Sequence, residues 1–233
     1  MKNFLFAALL GLAALPAAHA QSTQTRPVPA FHAINVGTGI DLALTAGHSQ
    51  RVEVSAATDA YRDRIETTVK DGVLTLRYRN DDDRNRRNDR TNKRLRVAVT
   101  ADELTALTAG SGASVHTAGD FDAATFQLDV SSGASVEADL ATTTLTVRQS
   151  SGSSATLRGR ATSLDVQSSS GASLDAPKLQ ADHARAEASS GSSIVVAVKD
   201  DLVAQASSGG SISYKGSPQL TKRTSSGGSV SNH

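Results

Sequence analysis

The sequence predicts an all-β protein whose larger part is a parallel β-helix, a solenoid in which each sequence repeat forms one coil. The principal observation is a short motif rich in serine and glycine that recurs seven times in the second half of the 233-residue chain. The motif glycines lie 18 to 21 residues apart: Gly112, Gly133, Gly152, Gly171, Gly191, Gly209 and Gly227. A nearly constant period of this length is typical of a solenoid, whose coils stack on one another.

The second observation is that apolar residues recur at fixed distances from each motif glycine. The positions seven and five residues before the glycine and three residues after it are mostly apolar, as in Leu145, Val147 and Ala155 around Gly152. The position four residues before the glycine is polar in every repeat: Thr108, Asp129, Arg148, Gln167, Glu187, Gln205 and Arg223. Apolar positions two residues apart have the period of a β-strand, so one side of each strand is expected to face a core and the other solvent.

Each motif is predicted to turn a corner of its coil, because glycine accepts the positive φ of a tight bend and serines bond to nearby backbone groups and stack on the serines of the next coil. The right-handed preference of parallel crossover connections favours a right-handed coil. A functional alternative for the same serines is a hydroxyl-lined stripe that contacts a glycan or a crystalline surface. Calcium-binding glycine repeats are excluded, because none of the seven motifs contains the aspartate that such repeats need.

Three segments precede or begin the domain. Residues 1–20 combine Lys2, an apolar run and a small-residue cleavage site, which is the pattern of a secretory signal peptide. Residues 21–30 are polar and contain proline, so a flexible lead-in is expected there. Residues 31–233 are predicted to form a single domain, which begins with an irregular β portion that extends to about residue 100.

Two features of this β portion are specific. Strand-like segments at residues 65–69 and 73–78 flank Lys70-Asp71-Gly72, which predicts a hairpin with Asp-Gly at its tip. Residues 80–94 contain six basic and four acidic side chains and no apolar one, and are predicted to form a charged surface loop. A polyanion-binding patch is the alternative, but the basic residues are interleaved with aspartates and no aromatic residue accompanies them.

The composition bears on partners and on chemistry. The chain has no cysteine, which excludes disulfides, thiolate metal sites and a lipid-anchored type of signal peptide. Removal of Lys2 with the signal peptide leaves 23 of the 24 basic residues against 23 acidic ones, so a neutral mature chain is expected not to have nucleic acid as its partner. Aromatic residues make up 3% of the chain and tryptophan is absent, so few stacking platforms are available. The apolar run of the signal peptide is too short to span a membrane, and no transmembrane segment is expected in the mature chain.

The sequence contains no recognisable catalytic, cofactor-binding or metal-binding set. No two glycines are spaced as a nucleophile elbow requires, and the even coil spacing leaves no room for the long insertions that form grooves in β-helical glycan-cleaving enzymes. One column, four residues after the motif glycines, carries polar groups on successive coils: His116, Glu137, Thr156 and Asp175. His116 and Glu137 are expected to lie about 5 Å apart, as a weak metal or acid-base pair or as part of an ordinary solvent face. Asp129 and Arg148 are expected to form a cross-strand ion pair.

The order of these segments resembles the exported bacterial head GIN domain family. The likeness is carried by the run from Phe31 to Leu42, by Arg51-Val52-Glu53-Val54, by Asp71-Gly72-Val73-Leu74-Thr75-Leu76 and by the Ser-Gly-Ala-Ser coils. It covers roughly residues 31–233. The resemblance implies an envelope-associated β-helix described as the head of an autotransporter adhesin, and it supplies no catalytic residues.

These observations lead to the expectation of a non-enzymatic exported solenoid without cofactor, an adhesin or surface-binding scaffold of a Gram-negative envelope. Its location would be the periplasm or the cell surface, and its partners a glycan, the extracellular matrix or envelope proteins. The alternatives are a structural or envelope-stress protein of the periplasm that acts by protein contact and, more remotely, a glycan-active enzyme. End-to-end self-association is also expected, because the last coil shows no obvious cap.

Overall fold

The computed structural model describes residues 23–80, 92–119 and 121–232, which are almost entirely β-strand. The predicted parallel β-helix is confirmed, since consecutive coils pair in parallel along the stack. The predicted signal peptide at residues 1–20 lies outside the described residues, as does most of the predicted charged loop at residues 80–94.

The described residues contain one short helix, α1 (Asp59–Arg62), and seventeen strands. The strands are β1 (Thr23–Arg26), β2 (Ala33–Val36), β3 (Asp41–Ala46), β4 (Arg51–Ser55), β5 (Ile65–Lys70), β6 (Val73–Tyr78), β7 (Arg96–Ala101), β8 (Ala106–Ala109), β9 (Ser114–Ala118), β10 (Phe121–Val130), β11 (Ser135–Gln149), β12 (Ser154–Ser168), β13 (Ser173–Ala188), β14 (Ser193–Ala206), β15 (Ser211–Lys215), β16 (Gln219–Thr224) and β17 (Ser229–Asn232).

The strands β8 to β17 form the seven coils that carry the Ser-Gly motif. The strand before one motif pairs with the strand before the next, and the strands after the motifs pair in the same way. The repeats differ in length, and the difference is absorbed in the middle of the strands, where the register shifts between Thr156 and Arg158 and between Ala176 and Gln180. The motifs therefore stay aligned from coil to coil.

The core runs along the inside of the stack. The predicted apolar columns are buried in the inner coils, for example at Leu145, Val147 and Leu202. Side chains of one column contact the same column of the next coil, so burial of each residue depends on both neighbouring coils. In the last described coil the same columns hold Leu220, which is 37% exposed, and Lys222, which is exposed.

The N-terminal β portion contributes two further coils to the same stack. The strands β2 and β3 pair in parallel with β8 and β9 on one side and with β6 and β7 on the other. A turn at Gly37-Thr38-Gly39 joins β2 to β3, and the Thr38 hydroxyl accepts a hydrogen bond of 2.8 Å from the backbone N–H of Tyr78 at the end of β6. The strands β6 and β7 thus take the positions in their coil that the strands before and after a Ser-Gly turn take in later coils.

Antiparallel strands close this end of the solenoid. The predicted hairpin is confirmed as β5 and β6, with Asp71 and Gly72 both at positive φ in its turn. On the other side of the coil β4 runs antiparallel to β7, and α1 connects β4 to β5. The Lys93 ammonium lies 5.9 Å from the ring centre of Tyr61 and 5.1 Å from that of Tyr78, which are favourable cation–π distances.

The lead-in departs from the expectation of a flexible segment. Residues 23–26 form β1, which pairs antiparallel with β4, as in the pairing of Thr25 with Glu53. A polar composition permits such a strand, because an edge strand needs backbone partners on one side and few buried side chains. We call the assembly of β1, β4, β5 and α1 the closed end.

Candidate functional site

The Ser-Gly motif forms one kind of tight turn in every coil. In the turn Ser131–Ala134, Ser132 has φ 53° and Gly133 has φ 70°, and the N–H of Ala134 donates to the carbonyl of Ser131 at 3.1 Å. Positive φ at both central positions together with this hydrogen bond defines a type I′ turn. The sequence predicted the bend and the role of glycine, but not that the serine before each glycine also adopts the left-handed conformation.

These turns are hydrogen-bonded to one another along the stack. The N–H of each turn glycine donates to the carbonyl of the left-handed residue in the next coil, as from Gly133 to Ser151 at 3.1 Å. The series begins at Gly39, whose N–H donates to Ser111, and continues to Gly209, whose N–H donates to Ser226. We call this row of turns the serine corner.

Serine hydroxyls act inside the corner as well as on its surface. Ser153 and Ser192 are buried, and their hydroxyls donate to the carbonyls of Val130 at 2.9 Å and Ser168 at 2.8 Å. The predicted stacking of serine on serine between coils occurs on the outside, where the Ser154 hydroxyl lies 3.4 Å from that of Ser135. The motif is therefore explained in large part by its role in holding the corner together.

A shallow groove, which we call the pre-turn groove, runs along the face that precedes the serine corner. One wall is the polar column predicted from the sequence, and the other is the serine two residues before each motif glycine. The wall residues are Asp129, Arg148, Gln167, Glu187, Gln205 and Arg223 on one side and Ser131, Ser150, Ser169, Ser189, Ser207 and Ser225 on the other. A first stretch encloses about 430 Å³ and a second about 220 Å³, and the two meet at Glu187 and Ser189. Five intercoil spacings of about 4.8 Å give the groove a length of roughly 24 Å.

The charges in this groove largely compensate one another. The predicted ion pair is confirmed, with 3.9 Å between the Arg148 guanidinium and the Asp129 carboxylate, which also accepts a hydrogen bond of 2.7 Å from Gln127. Glu187 pairs with Arg185 on the neighbouring column. The hydroxyls of the groove serines make no hydrogen bond within residues 121–232. Their hydroxyls are available to a ligand, in a groove without excess charge.

The column that the sequence singled out as a weak metal or acid-base site contains one close pair. His116 Nδ1 lies 3.5 Å from the Glu137 carboxylate on the next coil, and both side chains are about half exposed. Thr156 and Asp175 continue the column, but in the described part of the chain no three His, Asp or Glu side chains converge as a metal site requires. The geometry is that of a solvent-exposed ion pair.

A similar pair on a different column was not anticipated. His183 Nδ1 lies 2.8 Å from the Asp201 carboxylate, and the Lys199 ammonium lies 3.9 Å from Asp182 and 3.6 Å from Asp200. His183 and Asp201 both stand eight residues before a motif glycine, so the repeat alignment contained the signal for their contact. All five side chains are substantially exposed, which limits the contribution of these pairs to stability.

Across the described ranges, α1 is the only helix and has four residues, which is far too few to cross a membrane.

The chain matches a known protein family over most of its length. Residues 30–218 match the family described as "Putative auto-transporter adhesin, head GIN domain". No curated protein matches the chain.

Solved structures share the fold. A "putative adhesin" from Bacteroides fragilis aligns with a TM-score of 0.80 and 20% identity, over 93% of this chain and 98% of that one. A "putative adhesin" from Parabacteroides merdae aligns with a TM-score of 0.71 and 17% identity, over 93% and 97% of the two chains. A "putative lipid binding protein" from Parabacteroides distasonis aligns with a TM-score of 0.66 and 15% identity, over 93% and 98%. At these identities the likeness shows a common fold.

Proposed function

The chain belongs to the head GIN domain family of adhesin-like proteins, and from this premise we propose that it is a non-enzymatic, exported adhesin that binds a neutral glycan in the pre-turn groove. The observation that carries the proposal is the groove itself, which presents the same pair of polar walls on successive coils. A repeating ligand can make the same contact at each coil, and several weak contacts then add to a useful affinity.

The chemistry of the walls favours a ligand that is polar and uncharged. Asp129 and Glu187 are balanced by Arg148 and Arg223, so the walls carry no formal net charge. A polyanion or a polycation would gain little from these walls, whereas sugar hydroxyls both donate to carboxylates and amides and accept from guanidinium groups and serine hydroxyls. The scarcity of aromatic side chains, 3% of the sequence, means that such binding depends on hydrogen bonds rather than on stacking against sugar rings.

A lipid ligand, which the name of one structural relative suggests, is not favoured. Within the described ranges Leu220 is the one exposed large hydrophobic side chain, and it lies away from the groove walls in the inward column of the last described coil. An acyl chain would need a continuous apolar surface, and its burial contributes about 0.8 kcal/mol per methylene only where such a surface exists.

An enzymatic function is not favoured either. The name of the family and the names of the related structures describe adhesins or a lipid-binding protein. The His116–Glu137 pair is exposed and has no third polar group converging on it among residues 92–119 and 121–232. Most glycan-cleaving hydrolases use two carboxyl groups, one on each side of the bond that is cleaved, and these two groups lie about 5 to 9.5 Å apart.

The test is a screen of the purified mature chain on an array of neutral and charged glycans, repeated with two arginine variants. Ser169→Arg fills the middle of the groove and is expected to reduce binding of a neutral glycan about tenfold or more. Ser173→Arg places the same side chain just after the turn, outside the groove walls, and is expected to leave binding unchanged. Equal binding by both variants would show that the ligand binds elsewhere, and no binding to any glycan would contradict the proposed ligand class.

The cellular location is tested separately, by protease treatment of intact cells followed by fractionation and blotting. Loss of the protein from intact cells is expected for an adhesin that faces the outside. Protection in intact cells with release on osmotic shock would place the protein in the periplasm and favour a role in contacts with other envelope proteins.

A further inference from the structure

The strands of the last described coil have one edge without a partner. The strand β16 pairs with β14, and β17 pairs with β15, and neither pairs with any other described strand. All six residues of β16 are exposed. We call this side of β16 and β17 the free edge.

The backbone groups of the free edge are directed outward at alternate residues. The N–H of Ser225 donates to the carbonyl of Ala206 at 3.0 Å, so Ser225 and, by alternation along a parallel ladder, Arg223 and Thr221 face β14. The N–H groups of Leu220 and Lys222 therefore point away from the stack. They are available to an added strand.

The free edge is also basic. From Leu202 to Asn232 the sequence contains no aspartate or glutamate and three cations, Lys222 and Arg223 on β16 itself and Lys215 at the end of the neighbouring β15. All three are exposed, and none has an ion-pair partner within the described ranges. Lys222 stands in a column that holds Val147, Val166 and equivalent small or apolar residues in the inner coils, so its charge lies at the edge of the core.

We propose that the free edge binds an extended acidic segment of another protein by β-strand addition. In this mode backbone hydrogen bonds supply affinity and alternate side chains supply specificity. In a parallel added strand, an apolar residue would lie over Leu220, and acidic residues would lie over Lys222 and Arg223. The three cations increase the rate of encounter with such a segment and select it over neutral or basic ones.

A second copy of the chain fits this edge less well. Two free edges brought together would juxtapose two copies of Lys222 and Arg223, and a charged residue directed inward on an edge strand is a known device against such pairing. The closed end has no excess of acidic residues, because Glu53, Asp59 and Glu66 are accompanied by the basic residues Arg26, Arg51, Arg62 and Lys70. The charges thus favour an acidic partner over self-association.

The test measures binding of fluorescein-labelled peptides to the purified mature chain by fluorescence anisotropy. The probe is TVTITEDVT, which places isoleucine over Leu220 and glutamate and aspartate over Lys222 and Arg223, and the control peptide has lysine in place of both acids. We expect the acidic peptide to bind about tenfold or more tightly than the basic one, with an affinity that falls as salt is added.

Two variants of the protein separate charge from backbone pairing. Lys222→Glu reverses the charge and is expected to lower the affinity for the acidic peptide about tenfold or more. Lys222→Pro removes an outward N–H without removing a hydrogen bond to β14. It is expected to lower the affinity for both peptides and to leave the circular dichroism spectrum unchanged. Arg160→Glu, at an exposed cation outside the free edge, is the matched control and should bind as the parent does.

Equal affinity for the two peptides, or binding that survives both Lys222→Glu and Lys222→Pro, would overturn the proposal. If Lys222→Pro does not fold, Lys222→Glu alone decides between the outcomes. Concentration-dependent oligomers of the chain in light scattering, without peptide binding, would overturn the acidic partner and assign the edge to a second copy. The free edge shares Arg223 with the pre-turn groove, but Lys222 is not one of the groove wall residues, so the Lys222 variants test peptide binding and Ser169→Arg tests glycan binding.

Discussion

The closed end and the free edge lie at the two ends of the described stack and differ in how their strands are paired. At the closed end, β4 and β5 reverse the strand direction and cover the outermost parallel coil, and β1 adds a further strand on one side. At the free edge, the parallel pairing continues unchanged into β16 and β17 and then has no described partner. The free edge therefore exposes more of the core than the closed end does.

This difference shows what a parallel stack needs in order to terminate. A coil can bury its inward residues only if another layer lies on each side. The closed end supplies that layer with side chains such as Val52 and Ile65, which are 0% and 2% exposed, whereas Leu220 in the last described coil is 37% exposed. The free edge instead carries the exposed basic residues Lys222 and Arg223.

The largest effect is expected from removing a large side chain beside the closed end, where Gln50, the residue before β4, is hydrogen-bonded to Phe31. Phe31→Ala deletes a buried ring and is expected to lower the free energy of unfolding by about 3 to 5 kcal/mol. Urea titration followed by circular dichroism measures it, and His32→Ala, at the exposed neighbouring residue, is the control. A loss below about 1 kcal/mol would mean that the coil beside the closed end is not part of the cooperative core.

The next prediction compares two leucines of one apolar column, one in an inner coil and one in the last described coil. Leu202 and Leu220 are partners in neighbouring coils, but Leu202 is fully buried and Leu220 is partly exposed. In the same urea titration, Leu202→Ala is expected to lower the free energy of unfolding by about 2 to 5 kcal/mol and Leu220→Ala by less than about 1 kcal/mol. Equal losses would indicate that another layer covers the free edge in solution.

A smaller effect is expected at the segment that leads into the closed end. The Gln50 side chain holds Phe31 from both sides, since its oxygen accepts from the Phe31 N–H at 3.1 Å and its amide donates to the Phe31 carbonyl at 2.6 Å. Gln50→Ala is expected to lower the free energy of unfolding by about 1 kcal/mol, because water can replace part of this half-buried pair of hydrogen bonds. Ser49→Ala is the control, and hydrogen exchange at the Phe31 amide should increase in the glutamine variant alone.

Much of the stack could be predicted from repetition. A period of about twenty residues, with apolar columns two residues apart, specified a parallel β-helix, and Leu145 and Leu164 lie in the core as that pattern requires. The Asp129–Arg148 pair followed from the same alignment. A repeat allows such inference because each coil has the environment of its neighbour.

Where the environment is not repeated, the sequence was less informative. The coil formed by β2 and β3 lacks the Ser-Gly motif, and its partners β6 and β7 follow it in the sequence yet precede it in the stack. The residues of β1 are polar, and their place in a strand depends on the exposed edge of β4. The groove was partly foreseen as a hydroxyl-lined stripe, but its second wall and its balanced charges required the register between coils.

The sequence by itself determined the solenoid, the position of its turns and the direction of its core, because glycine, serine and apolar periodicity act locally and recur in every coil. Only the tertiary structure decided how the stack terminates, since a cap depends on which distant strands come to lie against the first and last coils. It also decided the left-handed serines of the corner, whose conformation is fixed by a hydrogen bond from the glycine of the neighbouring coil.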